Sequence, residues 1–248
     1  MVVGVIPARY ASTRFPGKPL TDLHGQTMIE RVWRAASNAA HVDEVIIATD
    51  DDRIATVARG LGAHVVMTSS DLPSGTDRCH AAVKQAGLAA DIVVNIQGDE
   101  PLLPAELIDD LVIALRIGDA DVATPISRLQ NVSDLFDPNV VKVVLSASGH
   151  ALYFSRSTVP YVRTVPTGEW LDHQRFWKHI GIYAFTMEAL DRHVQLDVGD
   201  LERAESLEQL RLLEYGAAFR CVVTEATLVS VDTEADADRV RSYLSLNT

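Results

Sequence analysis

The sequence predicts an α/β protein built on a doubly wound, mostly parallel sheet, and two observations predict it. In the first hundred residues, short β-branched apolar runs alternate with amphipathic stretches of helical period. This is the pattern of strand–helix–strand units joined by right-handed crossovers. The first apolar run then opens into a long loop, residues 8–26, punctuated by Pro and Gly. An ordinary βα connection has about two to six residues, so a loop of this length marks a functional segment. Hydrophobic residues make up 47% of the 248, enough to build the core that such a sheet needs.

Val2–Ile6 is continuously apolar and reads as a strand buried on both faces. Thr27–Ala40 follows as an amphipathic helix, then Glu44–Ala48 as a strand and Asp51–Leu61 as a helix. His64–Met67 and Asp91–Ile96 read as strands flanking a helix at Thr76–Gly87, which Ser74 or Thr76 would cap. The second half is less regular. Val140–Leu145, Ala151–Phe154 and Lys178–Phe185 have alternating or aromatic strand character. The segment Arg163–Asp172, with Pro166, Thr167 and Gly168, reads as an exposed loop. Glu202–Tyr215 repeats Leu207, Leu210 and Leu213 at helical spacing and stops at Gly216. Phe219–Val223 gives a further strand and Glu234–Leu244 a closing helix. No repeat or linker divides the chain, so one domain over 1–248 is expected, with an insertion at roughly 132–195 carrying substrate contacts.

The formal charge of −12 argues against general nucleic-acid binding, which needs a positive face to release counterions. No apolar run reaches the roughly eighteen residues that span a bilayer, so no membrane partner is expected. Pro7 and Arg9 interrupt the first apolar run too early for a signal peptide. Two cysteines, Cys79 and Cys221, make no disulfide framework, and a reducing, cytoplasmic location is the simpler expectation.

Against this acidic background, Arg9, Arg14 and Lys18 form a positive island with no acid before Asp22. A cationic, glycine-containing loop at the carboxyl end of a strand is suited to polyphosphate. Asp99 follows a strand that ends in Asn95 and Ile96, where a carboxylate can reach a hard cation. Asp232 stands just before the last helix, and spacing alone favours it as the cap of that helix over a ligand.

The segment Ile6-Pro-Ala-Arg-Tyr-Ala-Ser-Thr-Arg-Phe-Pro-Gly-Lys-Pro-Leu20 resembles the nucleotide-binding signature of the 3-deoxy-manno-octulosonate (Kdo) cytidylyltransferases and, more loosely, that of sugar nucleotidyltransferases. Six further segments match in order along nearly the whole chain: Ser74-Gly-Thr-Asp-Arg78, Gln97-Gly-Asp-Glu-Pro101, Leu152-Tyr-Phe-Ser-Arg156, Lys178-His-Ile-Gly-Ile-Tyr183, Glu205-Ser-Leu-Glu-Gln-Leu210 and Val231-Asp-Thr233. The resemblance implies a Rossmann-like nucleotidyltransferase sheet with a smaller substrate and dimerisation subdomain. It implies CTP and a small sugar acid as substrates, Mg2+ as cofactor and a homodimer, serving lipopolysaccharide or capsule synthesis.

By the same resemblance Arg9, Ser12, Arg14, Gly17, Lys18, Ser74, Thr76, Arg78, Gln97 and Asp99 contact the nucleotide. Arg9, Lys18, Asp99 and Asp232 serve catalysis, and Asp99 and Asp232 hold the metal. Gln97, Arg156, His179, Tyr183, Glu208 and Gln209 line the sugar pocket, with Arg156 suited to pair with the sugar carboxylate. Glu100 is structural. Three departures stand out: Ser230 replaces the usual glycine before Val231-Asp-Thr, Phe15 replaces a leucine as an apolar swap, and the loop Arg163–Asp172 follows no family pattern. The loop leaves open another ulosonic acid or a phosphonate as acceptor, and Ser230, beside the metal acid Asp232, leaves open a nucleotide-binding regulator without catalysis.

Overall fold

The computed structural model describes residues 1–11 and 15–246. Ser12 and Arg14 therefore lie outside the described residues. The chain forms two compact units, residues 1–112 with 226–248 and residues 113–225.

The first unit runs β1 (Val2–Ala8), α1 (Met28–Asn38), β2 (Glu44–Thr49), α2 (Asp52–Gly60), β3 (His64–Met67), α3 (Gly75–Gln85), β4 (Ile92–Asn95) and most of α4 (Ala105–Arg116). Its strands pair in the order β3-β2-β1-β4, all parallel. The expected strands and helices of this half appear with ends shifted by no more than two residues. Local chemistry explains the starts. Thr27, Asp51 and Ser74 each accept a backbone N–H in the first turn of α1, α2 and α3. Val2, Val3, Val5 and Ile6 of β1 are fully or almost fully buried, as a central parallel strand requires. With β2 on one side of β1 and β4 on the other, the strand order reverses beside β1. The loops after β1 and β4 thus flank the switch point where such sheets bind ligands.

The second unit contains β5 (Val122–Arg128), α5 (Val132–Phe136), β6 (Lys142–Leu145), β7 (Ala151–Ser155), α6 (Trp170–His173), β8 (Trp177–His179), β9 (Tyr183–Thr186), α7 (Met187–Gln195), α8 (Asp200–Glu205), α9 (Gln209–Glu214) and β10 (Phe219–Val223). β5 is its axis: β10 pairs with it in parallel, β8 and β9 antiparallel. β6 joins β7 to β8, again antiparallel. The chain then closes through α10 (Glu234–Leu246) in the first unit.

Three expectations are corrected here. Lys178–Phe185 is two strands rather than one. Ile126 faces His179 and Ala123 faces Ala184, so three steps along β5 match five on its partner, and Ile180-Gly181-Ile182 bulges out. The Thr124 hydroxyl holds the bulge, lying 3.1 Å from the Ile180 carbonyl and 2.8 Å from that of Ile182. Glu202–Tyr215 is likewise broken, at Ser206, whose φ of 50° is left-handed. Arg156 takes up the carbonyls of Glu205 and Ser206 at the break, at 2.6 and 3.1 Å. Finally, Arg163–Asp172 is not wholly an exposed loop. Trp170 opens α6 and is buried against Leu129, Leu135 and Phe176.

Candidate active site

The carboxyl ends of β1 and β4 frame an open cleft of about 330 Å³ lined by Arg9, Lys18, Ser74, Arg78, Gln97 and Asp99. Two glycines make this close approach possible. Gly17 has φ 73°, and a Cβ there would sit 3.0 Å from the Tyr10 ring. A Cβ on Gly98 would come 3.0 Å from the Pro7 carbonyl oxygen, so the two strand-end loops touch through backbone. The loop is also pinned from below: the Gly17 N–H donates to the Tyr10 carbonyl at 2.9 Å, and the Arg53 guanidinium lies 3.2 Å from the Tyr10 ring centroid. Arg9 donates to the Leu72 carbonyl, which ties the loop to the segment preceding α3.

Arg78 is fully buried, with one nitrogen on Thr68 Oγ1 and another 3.0 Å from Asp50 Oδ2. Burial lowers its pKa, an effect that Asp50 opposes and neighbouring Arg9 reinforces. Asp50 is the counter-charge that permits this burial. The sequence offered no signal for the pairing, since it depends on β2 and α3 lying side by side. Ser74 and Thr76 do quieter work: Ser74 caps α3, and Thr76 Oγ1, in the core, accepts from Asn95 Nδ2 at 3.2 Å.

Lys18 Nζ is the focus of the cleft. It lies 2.6 Å from Asp99 Oδ2, 3.3 Å from Asp232 Oδ1 and 3.1 Å from the Val231 carbonyl. The two acids are 133 positions apart and are joined through backbone, the Val231 N–H donating to the Asp99 carbonyl at 2.9 Å. Val231 is fully buried with Leu23, Met28, Ala237 and Val240, and Phe15 packs against that cluster. The departure at Phe15 therefore fills a core. Asp232 is not the cap of α10. Thr233 accepts the Asp236 N–H at 3.3 Å and gives its own N–H to Asp236 Oδ2 at 2.8 Å, a reciprocal capping box. Ser230 is exposed and lies outside the left-handed region, since among described non-glycine residues only His24 and Ser206 have positive φ. Its side chain asks nothing unusual of the backbone before Asp232.

In the second unit the bulge after β8 brings three of the expected sugar-pocket residues together. His179 and Tyr183 flank it with ring centroids 5.4 Å apart, and the Tyr183 hydroxyl donates to Gln209 Oε1 at 3.1 Å. His179 is buried, its Nε2 is 2.9 Å from Thr124 Oγ1, and burial pushes its pKa down to about 3, so it is neutral at physiological pH. Burial, with the Glu208 charge adding, raises the Tyr183 pKa well above its usual value, so its hydroxyl keeps its proton. Gln209 Nε2 is buried without an acceptor among the described residues. Glu208 turns to His193 Nε2 at 3.0 Å. Arg156 is held by its neighbours: besides the Glu205 and Ser206 carbonyls it donates to that of Pro138 at 2.9 Å, while its N–H meets Glu205 Oε2. Three of its five guanidinium donors are thus engaged.

Sequence reasoning passed over His193 and Lys142, and named Glu205 only as the start of a matching segment, without a role. Lys142 is fully buried, with its ammonium on the carbonyls of Asp137, Val140 and Arg156 at 2.9, 2.6 and 2.6 Å. Only the tertiary structure reveals that role.

A cytidylyltransferase family model matches residues 3–224. The 3-deoxy-manno-octulosonate cytidylyltransferase of Parabacteroides distasonis is 43% identical over 98% of each chain. That of Nitratidesulfovibrio vulgaris strain DP4 is 48% identical over 98% of this chain and 96% of its own. Among solved structures, a CMP:2-keto-3-deoxy-manno-octonic acid synthetase complexed with CTP superimposes with a TM-score of 0.92 at 38% identity, covering 100% of this chain and 99% of that one.

Proposed function

The chain belongs to the cytidylyltransferase family, and within it to the 3-deoxy-manno-octulosonate cytidylyltransferases, and from that membership we propose that it couples CTP to Kdo, giving CMP-Kdo and pyrophosphate. The 2-hydroxyl of Kdo attacks the α-phosphorus of CTP in line. Its oxygen forms the new P–O bond, its proton passes to solvent or base, and pyrophosphate leaves with the electrons of the broken bond. Such a transfer asks the protein for positioning and charge neutralisation rather than covalent chemistry. The observation that carries the reading is the cluster of Lys18, Asp99 and Asp232 beside Arg9 and Arg78 in the strand-end cleft.

In this reading Arg9, Lys18 and Arg78 neutralise the triphosphate, and Gly17 and Ser74 bring backbone close to it, with Gln97 beside them. Arg14 and Ser12 share that task by the family resemblance. The donor set also fits magnesium: two carboxylates converge on one point, and the Lys18 ammonium stands there as a cation of its own. Asp99 and Asp232 would hold the ion, which when bound supplies Lewis-acid stabilisation of phosphate oxygens. His179, Tyr183, Glu208 and Gln209 provide neutral and acceptor groups for sugar hydroxyls, and the buried Gln209 amide, with no acceptor among the described residues, is suited to a sugar oxygen. Arg156 keeps two N–H groups for the acid's carboxylate. We place the enzyme in a reducing cytoplasm, in keeping with two cysteines that are both buried and form no disulfide, and carry the homodimer from the family resemblance alone; no described helix is long and apolar enough to cross a membrane.

Pyrophosphate release from the purified protein tests this, with CTP, magnesium and Kdo set against the other three triphosphates and a control lacking acceptor. Release that requires both CTP and Kdo is expected. CTP binding with no release from Kdo would move the acceptor to another ulosonic acid.

A further inference from the structure

We infer that His193 is a positioning residue for the reaction, holding the Glu208 carboxylate in the orientation that receives the sugar acid. The inference rests on the reading of Glu208 as a sugar-pocket residue. Glu208 stands at the start of α9, yet its side chain makes no capping bond to that helix. It reaches instead to His193 Nε2 at 3.0 Å, near the end of α7. The two ends of this contact differ in environment: His193 is 2% exposed, while the Glu208 side chain is 33% exposed. A buried donor therefore grips a carboxylate that still faces solvent.

The ring's own chemistry sets the direction of the bond. His193 Nδ1 is buried with no partner among the described residues, so a proton there would be left unsatisfied. The proton of the neutral ring belongs on Nε2, which donates to Glu208 Oε1. The residue is held at its backbone and beside its ring. The main-chain carbonyl of His193 accepts from Arg211 at 3.4 Å, and Arg211 is locked to Glu202 by two bonds of 2.7 and 2.8 Å. Phe185 lies against the ring at 6.5 Å between centroids. A donor fixed in this way removes the rotamer freedom that a half-exposed glutamate otherwise has, and the bond to an ionised acceptor is a strong one.

Steady-state kinetics on the full chain test this with His193→Leu and His193→Gln. Leucine removes the donor, whereas glutamine keeps an N–H at the reach of Nε2. His193→Leu is expected to raise the KM for Kdo about tenfold, with the KM for CTP and the melting temperature little changed, and His193→Gln to restore most of the loss. In a Glu208→Ala background, which removes the acceptor, His193→Leu should add nothing, because the two residues act as one unit. If His193→Leu does not fold, His193→Asn, whose shorter amide falls short of Glu208, takes its place. Wild-type kinetics in His193→Leu overturns the inference, as does an equal rise in both KM values. The wild type assayed on a panel of acid acceptors separates this from the underlying reading: turnover of another ulosonic acid in place of Kdo corrects the acceptor and the same comparison is made with it, whereas turnover of none overturns both.

Discussion

Lys18 carries one positive charge between two carboxylates, and its side chain is only 16% exposed. Screening by water is weak at such a position, so the ammonium's charge acts at close range on whatever sits in the cleft. Lys18→Ala is therefore expected to lower kcat by about a hundredfold or more at saturating CTP, read as pyrophosphate release. Near wild-type turnover would remove Lys18 from the mechanism. Arg156 requires a different experiment, because its guanidinium is anchored to the carbonyls of Pro138, Glu205 and Ser206. Arg156→Ala should cost about 2 kcal/mol of stability through those lost bonds and also raise the KM for the acceptor, leaving that for CTP little changed. Thermal unfolding and the two KM values together decide it; equal damage to both substrates would place Arg156 outside the sugar pocket.

At the scale of the element, α10 shows how a short-range signal settles a long-range question. The Thr233–Asp236 box caps the helix, which frees Asp232 to turn toward Lys18. Burial pushes the Asp236 carboxyl up, but hydrogen bonds from the Thr233 hydroxyl, Arg239 and the amides of Asp232 and Thr233 outweigh it and hold the pKa at about 2. Because the folded value lies below the unfolded one, near 3.9, the stabilisation is fully present above about pH 4 and is lost as pH falls toward 2. Asp236→Asn is expected to lower stability by about 1 kcal/mol at neutral pH. The gap between variant and wild type in urea midpoints should narrow at pH 2.5, and a gap constant with pH would show that the charge is irrelevant to the cap. The sequence reading weighed only Asp232 as the cap and passed over the Thr followed three residues later by Asp, which the structure shows to be the box.

The parallel half of the fold was legible, since continuous apolar runs and capped amphipathic helices are local signals. The breaks at Ile180–Ile182 and Ser206 were not. They depend on the Thr124 hydroxyl and the Arg156 guanidinium, which reach them only after folding. The sequence reading also passed over 102–131, where β5 pairs both ways and leaves no single strand period, and where it missed the helical spacing of Leu107, Leu111 and Leu115 in α4. Of the candidate site, the motif residues could be named from sequence. Their supports, Asp50 under Arg78 and His193 beside Glu208, could not.

For the whole molecule the proposed divalent cation raises the question of what its withdrawal would do. A site built from two facing carboxylates and nothing else would repel itself when empty, and folding would then depend on metal. Here one ammonium already lies between them, and the backbone bond from Val231 to Asp99 holds the acids together without an ion. Chelation should therefore abolish turnover, with recovery on adding magnesium, while shifting the melting temperature by less than about 2 °C. CTP with magnesium at about a hundred times its Kd should raise stability by about 2.7 kcal/mol. Lys18→Ala sharpens the test. Without the ammonium the two carboxylates face each other uncompensated, so magnesium alone should stabilise the variant more than it stabilises the wild type. Differential scanning calorimetry of both proteins, with and without magnesium, measures this directly. A wild type that unfolds cooperatively on chelation, or a variant indifferent to magnesium, would show that Asp99 and Asp232 do not form a shared cation site.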